Sequence, residues 1–173
     1  MLFIFLFSLC FIISCENKFG PPRTDYKTGE IPDQESWNST VIFSDSGRIK
    51  AILKAGHISV YNSRNYTLVD DGAIVDFYDR NGEVVSTLTG KRGKVLEPSK
   101  DIEMYDSVIV VGKKNNTLVT TKRMNWNNEK QRVYSDAFVK IKTEKEEIEG
   151  FGFESDQNLK NYKVFKVTGI LTK

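Results

Sequence analysis

Cysteine is almost missing from this chain. Its two cysteines, Cys10 and Cys15, both lie in the first fifteen residues. No disulfide can therefore join two downstream positions, and a cysteine-based structural zinc site is excluded. Histidine occurs once, at His57; acid–base catalysis needs partners, and the sequence assigns none. No charge of one sign dominates: the formal net charge is +2 with 28% charged residues. That balance gives no case for a nucleic-acid partner, and no helix-turn-helix or RNA-reading motif is present. No apolar run reaches the roughly 20 residues of a transmembrane helix. Helical periodicity is scarce as well, whereas Val, Ile, Thr, Phe and Tyr are plentiful, which suits strands.

What is present is a repeated phrase. Val75 to Leu88 reads as strand, tight turn, strand, with Asn81-Gly82 supplying the positive φ angles of a two-residue hairpin turn. Val41-Ile42-Phe43 leads likewise through Ser46-Gly47 to Leu53. Val108-Ile109-Val110 leads through Lys113–Asn116 to Leu118, and Val139-Lys140-Ile141 leads through Thr143–Glu146 to Ile148. Phe43 to Phe77 is 34 residues, Phe77 to Val110 is 33 and Val110 to Ile141 is 31. Two residues after each Leu or Ile stands a residue without a large side chain: Ala55, Gly90, Thr120, Gly150. A period of this length points to stacked units, each too small to bury its own apolar face. Four units of about four short strands each predict two sheets facing one another. The sequence does not decide whether the sheets close into an ordinary core or splay into an apolar groove.

The amino terminus has a different character. Leu2 to Ile13 is interrupted only by Ser8 and Cys10 and fits a secretory apolar segment, although the usual basic residues before it are lacking. Ile12-Ile13-Ser14-Cys15 resembles a bacterial lipoprotein box. That reading gives a signal peptide over 1–14 and acylation at Cys15, which holds the protein to a membrane surface rather than across it. Residues 15–37, carrying Pro21, Pro22, Pro32, Gly20 and Gly29, read as a tether. The folded domain is expected over 38–173.

Along that domain, Ile49, Ala51, Leu53 and Ala55 alternate with Arg48, Lys50, Ile52 and Lys54, which gives one apolar face, and Gly56 shifts the register before Ile58 and Val60. Asp70-Asp71-Gly72 reads as a turn. Lys91-Arg92-Gly93-Lys94 reads as a solvated basic loop; it lacks the spacing of a phosphate loop. Trp126 either covers one end of the core or packs inside it. Gly150-Phe151-Gly152-Phe153 leaves one face of a strand bare, which permits close approach of another backbone or a ligand. The end strands near Trp37–Phe43 and Tyr162–Ile170 are weakly protected and suit strand addition from other chains.

Four segments taken together resemble the LptC family of bacterial lipopolysaccharide export: Phe77-Tyr78-Asp79-x-x-Gly82 running to Leu88-Thr89, Leu118-Val119-Thr120-Thr121 running to Trp126-Asn127, Tyr134-Ser135-Asp136-x-x-Val139, and Gly150-x-Gly152-Phe153-Glu154. The resemblance implies an all-β, twisted β-jellyroll of stacked antiparallel hairpins, two facing sheets open on one side, whose interior holds the acyl chains of lipid A. It further implies docking to an inner-membrane ABC exporter, LptF and LptG with the ATPase LptB, and transfer to an LptA-like protein through edge strands. No cofactor, metal or enzymatic activity is implied. The inward residues expected as lining are Phe43, Leu53, Val75, Phe77, Leu88, Val110, Leu118, Ile141 and Ile148. Val41, Phe43, Val164 and Val167 are the expected docking positions on the edge strands. Well-known members carry an amino-terminal transmembrane helix, whereas here the lipoprotein box at Cys15 stands in that place. This implies a lipid-anchored protein on the periplasmic face of the inner membrane, with the outer membrane as the other destination.

Two other function classes fit some of the residues. One is a surface or periplasmic lipoprotein whose closed β core only presents a binding face. The other is a hydrolase using Glu154 and Asp156, or Asp70-Asp71, for which no nucleophile, metal set or histidine partner is evident.

Overall fold

Strict alternation of apolar and polar residues extends the chain into strands, and the computed structural model, which describes residues 31–172, contains ten of them. They are β1 (Gln34–Asp45), β2 (Arg48–Tyr61), β3 (Tyr66–Tyr78), β4 (Val84–Gly90), β5 (Arg92–Leu96), β6 (Asp101–Gly112), β7 (Leu118–Asn127), β8 (Arg132–Lys142), β9 (Glu146–Asp156) and β10 (Tyr162–Thr172). A single 3-10 turn at Asn62–Arg64 joins β2 to β3. All pairings are antiparallel, in the order β1-β2-β3-β4-β6-β7-β8-β9-β10, with β5 paired to β3 and β6. The signal-peptide segment, Cys15 and most of the tether lie outside the described residues. β1 begins at Gln34, so its first residues come from the stretch read as tether.

The strands are longer than the repeat predicts, because most of them bend in the middle instead of ending there. Asp71 and Gly72 have φ of 55° and 85° but stand inside β3, so Asp70-Asp71-Gly72 is a bend within one strand and not a turn between two. At that point β3 changes neighbour, pairing β5 over Tyr66–Val69 and β4 from Ala73 onward. β6 does the same at Asp106 and Ser107, both with positive φ. The basic run expected as a loop is mostly strand: only Lys91 separates β4 from β5. Its N–H donates to the Asp106 carbonyl, and its own carbonyl accepts from Gly72 N–H. Register shifts continue the line through β2 (between Ala55 and His57), β7 (between Thr121 and Asn125) and β8 (between Ser135 and Phe138). Asn38 on β1 and Gly152 on β9, again with positive φ, complete it. Bulges of this kind increase twist and turn a strand through a corner.

The bend line divides the sheet into two halves that face each other. Phe77, in the second half of β3, packs on Trp126, in the second half of β7 and paired with Ile102 at the start of β6; the ring centroids are 5.0 Å apart. Trp126 is therefore inside the core rather than over its end. Ala51, Leu53, Val75, Leu88, Met104, Val110, Met124, Val139 and Ile141 fill the same layer and are all essentially inaccessible. This is the all-β, jellyroll-like arrangement of two facing sheets.

One hairpin differs from its sequence reading. Between β3 and β4 only Gly82 has positive φ, at 80°. The turn spans Asp79 to Gly82, with Gly82 N–H donating to the Asp79 carbonyl at 3.1 Å. The Asp79 carboxylate accepts from the N–H groups of Asn81 and Glu83. That side chain closes an Asx-type turn, which an Asn-Gly pair alone does not foretell.

Candidate functional site: the interior and its lip

Folding the sheet along the bend line brings strand ends together on the opposite side, here called the lip. The β9–β10 turn crosses it. Ser86 Oγ, buried on β4, donates to the Gln157 carbonyl; Gln157 Nε2 donates to the Tyr78 carbonyl at 3.1 Å; and Asn115 Nδ2 donates to the Leu159 carbonyl at 2.8 Å. Leu159, the one large apolar residue of an otherwise polar turn, is fully buried with φ of 54°. It serves as a plug. At the β10 end of the lip, Tyr162 Oη donates to Glu146 Oε1 at 3.4 Å. A buried hydrogen bond of this type contributes about 1 kcal/mol net, so the lip is held by a short series of modest bonds around one leucine.

Of the nine residues expected to face inward, Leu53, Val75, Phe77, Leu88, Val110 and Ile141 are fully buried, and Phe43 is 8% exposed. Ile148 is half-buried against the same cluster. Leu118 is the exception. It pairs with Val111 and Lys142 on the outer face, while Val119, opposite Val110 and Ile141, takes the inward place. Across the turn closed by Gly112 N–H on the Thr117 carbonyl, the ladder sets Val119 and not Leu118 opposite inward Val110, and a difference of one residue exchanges the faces of a strand. Sequence reasoning also missed Ile102, Met104, Met124 and Phe153 as interior residues. Ile102 and Met104 alternate with Glu103 and Tyr105 in the sequence, and Met124 stands two before Trp126, but all lie outside the four repeated phrases; Phe153 is set inward past the positive φ of Gly152. Trp126 Nε1 is buried without an acceptor among the described residues.

The positions expected for docking fall on the terminal strands, β1 for Val41 and Phe43 and β10 for Val164 and Val167; Val41, Phe43 and Val164 pack on the core, and only Val167 is exposed. Neither strand has a neighbour on its outer side among the described residues. Their surfaces differ. β10 exposes Phe165, Val167, Ile170 and Leu171, and its only charges are Lys163 and Lys166. On β1 the only charges are Glu35 and Asp45, and its first half is fastened by a histidine. His57 Nδ1 bonds Asp70 Oδ1 at 2.9 Å, its Nε2 meets Glu35 Oε1 at 3.3 Å, and Trp37 stacks on the ring at 5.0 Å. The hydrogen bond with Asp70 raises the imidazole pKa above its ordinary value; burial opposes this, and Glu35 adds to it. Ser59 Oγ lies 3.5 Å from Nε2, at the outer limit of a hydrogen bond and in competition with Glu35.

Of the carboxylates considered for hydrolysis, Glu154, Asp156 and Asp70 are engaged by other side chains or turn N–H groups, and Asp71 stands exposed at the β3 bend. Glu154 Oε1 accepts from Arg132 Nε at 2.6 Å. Asp156 closes the β9–β10 turn, accepting from Lys160 N–H at 3.0 Å and Asn161 Nδ2 at 2.8 Å. Asp70 is engaged by His57. Among the described residues no three His, Cys, Asp or Glu side chains are placed to hold a metal, and no helix is long and apolar enough to cross a membrane. Tyr105 has its pKa pushed up to about 12 by burial and by its hydrogen bond to Glu103, so its hydroxyl remains a donor.

No curated protein matches the chain. The family model described as lipopolysaccharide-assembly, LptC-related, matches residues 1–171, nearly the whole sequence and all ten strands but for the last residue of β10. The chain belongs to the LptC-related family of lipopolysaccharide assembly, and with it to the lipopolysaccharide-transport apparatus of the cell envelope.

Proposed function

We propose that this protein receives lipopolysaccharide from an inner-membrane ABC exporter (LptF and LptG with the ATPase LptB), houses its acyl chains between the two half-sheets, and passes it to an LptA-like bridge protein. The observation that carries this reading is the apolar layer running from β2 to β9, closed along one side by the bend line and along the other by the lip bonds around Leu159. Each methylene withdrawn from water is worth about 0.8 kcal/mol, so acyl chains need such a layer to cross an aqueous space. In the closed state the layer is filled by its own side chains, and lipid enters by parting the lip. Energy for that comes from the ATPase partner. Acylated Cys15 anchors the protein at the periplasmic face of the inner membrane. Of the two edges, β10 is the better docking strand, because its exposed Phe165, Val167, Ile170 and Leu171 gain most by being covered.

In vivo photo-crosslinking tests the route. A benzophenone amino acid at Phe77 or Leu88, both fully buried, is expected to give lipopolysaccharide adducts, and one at Ile74, 44% exposed on the outer face of β3, is expected to give none. The tight Phe77–Trp126 contact supports a second reading, a lipoprotein interaction module with a permanently closed core. Absence of adducts at both inward sites in folded, membrane-bound protein would favour that module.

A further inference from the structure

A polar cleft of about 390 Å³ opens on the lip, between the β1–β2 and β3–β4 turns on one side and the β9–β10 turn on the other. Arg48, Lys50 and Arg80 line it together with Asp45 and Asp79. The charges do not cancel within the cleft. Lys50 Nζ pairs with Asp45 at 3.2 Å, and Asp79 is met by Lys114 Nζ at 3.2 Å from outside the lining, a lysine it shares with Glu83. The Lys50 ammonium holds the Asp45 carboxyl below its ordinary range, and the Glu83 N–H, with Lys114, does the same for Asp79. Both carboxylates are thus ionised and engaged. Arg48 and Arg80 make no ion pair among the described residues and are both exposed.

The wall behind these cations is unusual. Gln157 is 8% exposed, and its Nε2 donates to the Tyr78 carbonyl, which fixes the amide so that Oε1 cannot take the same place. Gln157 Oε1 and the neighbouring Asn158 Oδ1 are buried and accept no hydrogen bond from any described residue. An orphaned acceptor of this kind costs about 1–3 kcal/mol. Two guanidinium groups call for an anion, and two amide oxygens call for hydroxyl or N–H donors. A phosphorylated sugar carries both. The volume lies within the roughly 300–1,000 Å³ of small-molecule sites.

We propose that this cleft binds a phosphate-bearing saccharide, with Arg48 and Arg80 on the phosphate and the Gln157 and Asn158 amide oxygens on sugar donors. The inference rests on the transport reading in one respect: acyl chains that enter through the lip leave their headgroup over this cleft. The guanidinium fork suits phosphate because it offers two parallel N–H donors.

The test uses ligands without acyl chains, so that it does not depend on the interior. The folded protein is titrated, by calorimetry and by backbone amide chemical shifts, with a bis-phosphorylated glucosamine disaccharide, with the same disaccharide lacking phosphate, and with inorganic phosphate. The phosphorylated disaccharide is expected to saturate a site that shifts Arg48, Arg80, Gln157 and Asn158 and to bind at least about tenfold more tightly than either other ligand. The variant Arg48→Gln/Arg80→Gln is expected to lose at least about tenfold in affinity, the size of one charged hydrogen bond. Lys91→Gln/Lys122→Gln, an equal charge change on the bend line, is expected to leave binding within about twofold. A thermal melt of each variant checks that it folds, and Arg80→Glu provides a second substitution at a turn. Equal affinity for inorganic phosphate and the disaccharide would overturn the saccharide assignment in favour of a free-phosphate site. No difference between phosphorylated and bare sugar, or equal losses in both double variants, would overturn the site itself. If the cleft fails this test while Phe77 still yields adducts, the transport route stands without it. If the cleft binds and Phe77 yields none, the route fails and a glycan-phosphate binding site remains.

Discussion

The bend line and the lip close the same interior from opposite sides, yet they are made of different things. Along the bend line the chain is held by backbone: positive φ at Asn38, Asp71, Asp106, Ser107 and Gly152, and ladder bonds that continue on either side of each bulge. Along the lip it is held by side chains reaching a single turn, Ser86 and Gln157 in one place, Asn115 in another, Tyr162 at the far end. Backbone corners repeated on most of the strands are fixed by the ladders on either side of them, whereas a turn docked through a few side chains can leave as a unit. On the proposed route the bend line is the hinge and the lip the mouth.

The largest change is expected in the layer between the two sides, where the half-sheets touch. Trp126→Ala removes a fully buried ring that packs on Phe77 and is expected to cost about 3–5 kcal/mol, read from urea unfolding. Gly56→Ala attacks the bend line alone. A Cβ there would lie 2.5 Å from the Asp71 carbonyl oxygen, which is backbone and cannot rotate away; a loss of about 1–3 kcal/mol is expected, with hydrogen exchange rising in β2 and β3. Unchanged stability would mean the bend line yields more easily than its geometry implies. Gln157→Ala attacks the lip alone. It is expected to cost about 1 kcal/mol, to speed amide exchange in the β9–β10 and β3–β4 turns without touching β5, and to increase lipid adducts at Phe77. A global rise in exchange instead would show that the lip does not open independently.

The smallest expected effect concerns the β1 edge. Because the Asp70 and Glu35 contacts raise the His57 pKa in the folded state, the protonated ring favours folding. Its contribution is complete below the unfolded-state pKa and is lost as pH rises through the folded value. Amide exchange in the first half of β1, corrected for intrinsic rate, is therefore expected to be faster at pH 8 than at pH 6. In His57→Gln that difference is expected to vanish, while β10 shows none in either protein.

Much of this was legible in residue order. The hairpins at Ser46-Gly47, Lys113–Asn116 and Thr143–Glu146 lie where the repeat puts them, and eight of the nine proposed inward residues face the interior or pack against it. Leu118 failed because face assignment along a strand depends on parity, and parity depends on a turn whose length in paired residues the sequence does not state. Asp70-Asp71-Gly72 was misread for a related reason. Local chemistry there demands a positive φ, and both a turn and a mid-strand corner supply one; whether the chain reverses or merely bends is decided by which strands stand beside it. The basic run at Arg92–Lys94 likewise became β5 because β3 and β6 both had partners to offer it.

By itself, then, the sequence determined the class of the fold, several of its hairpin turns and most of its apolar layer, since alternation and turn residues act within a few positions of the chain. Only the tertiary structure decided the corners, the plug at Leu159 and the gathering of Arg48, Arg80 and Gln157 around one cleft. Those features join residues as far apart as Arg48 and Gln157, and no local preference encodes such a meeting. It arises when the two half-sheets bury their apolar faces against each other, and the turns that meet at the lip are carried there by that burial.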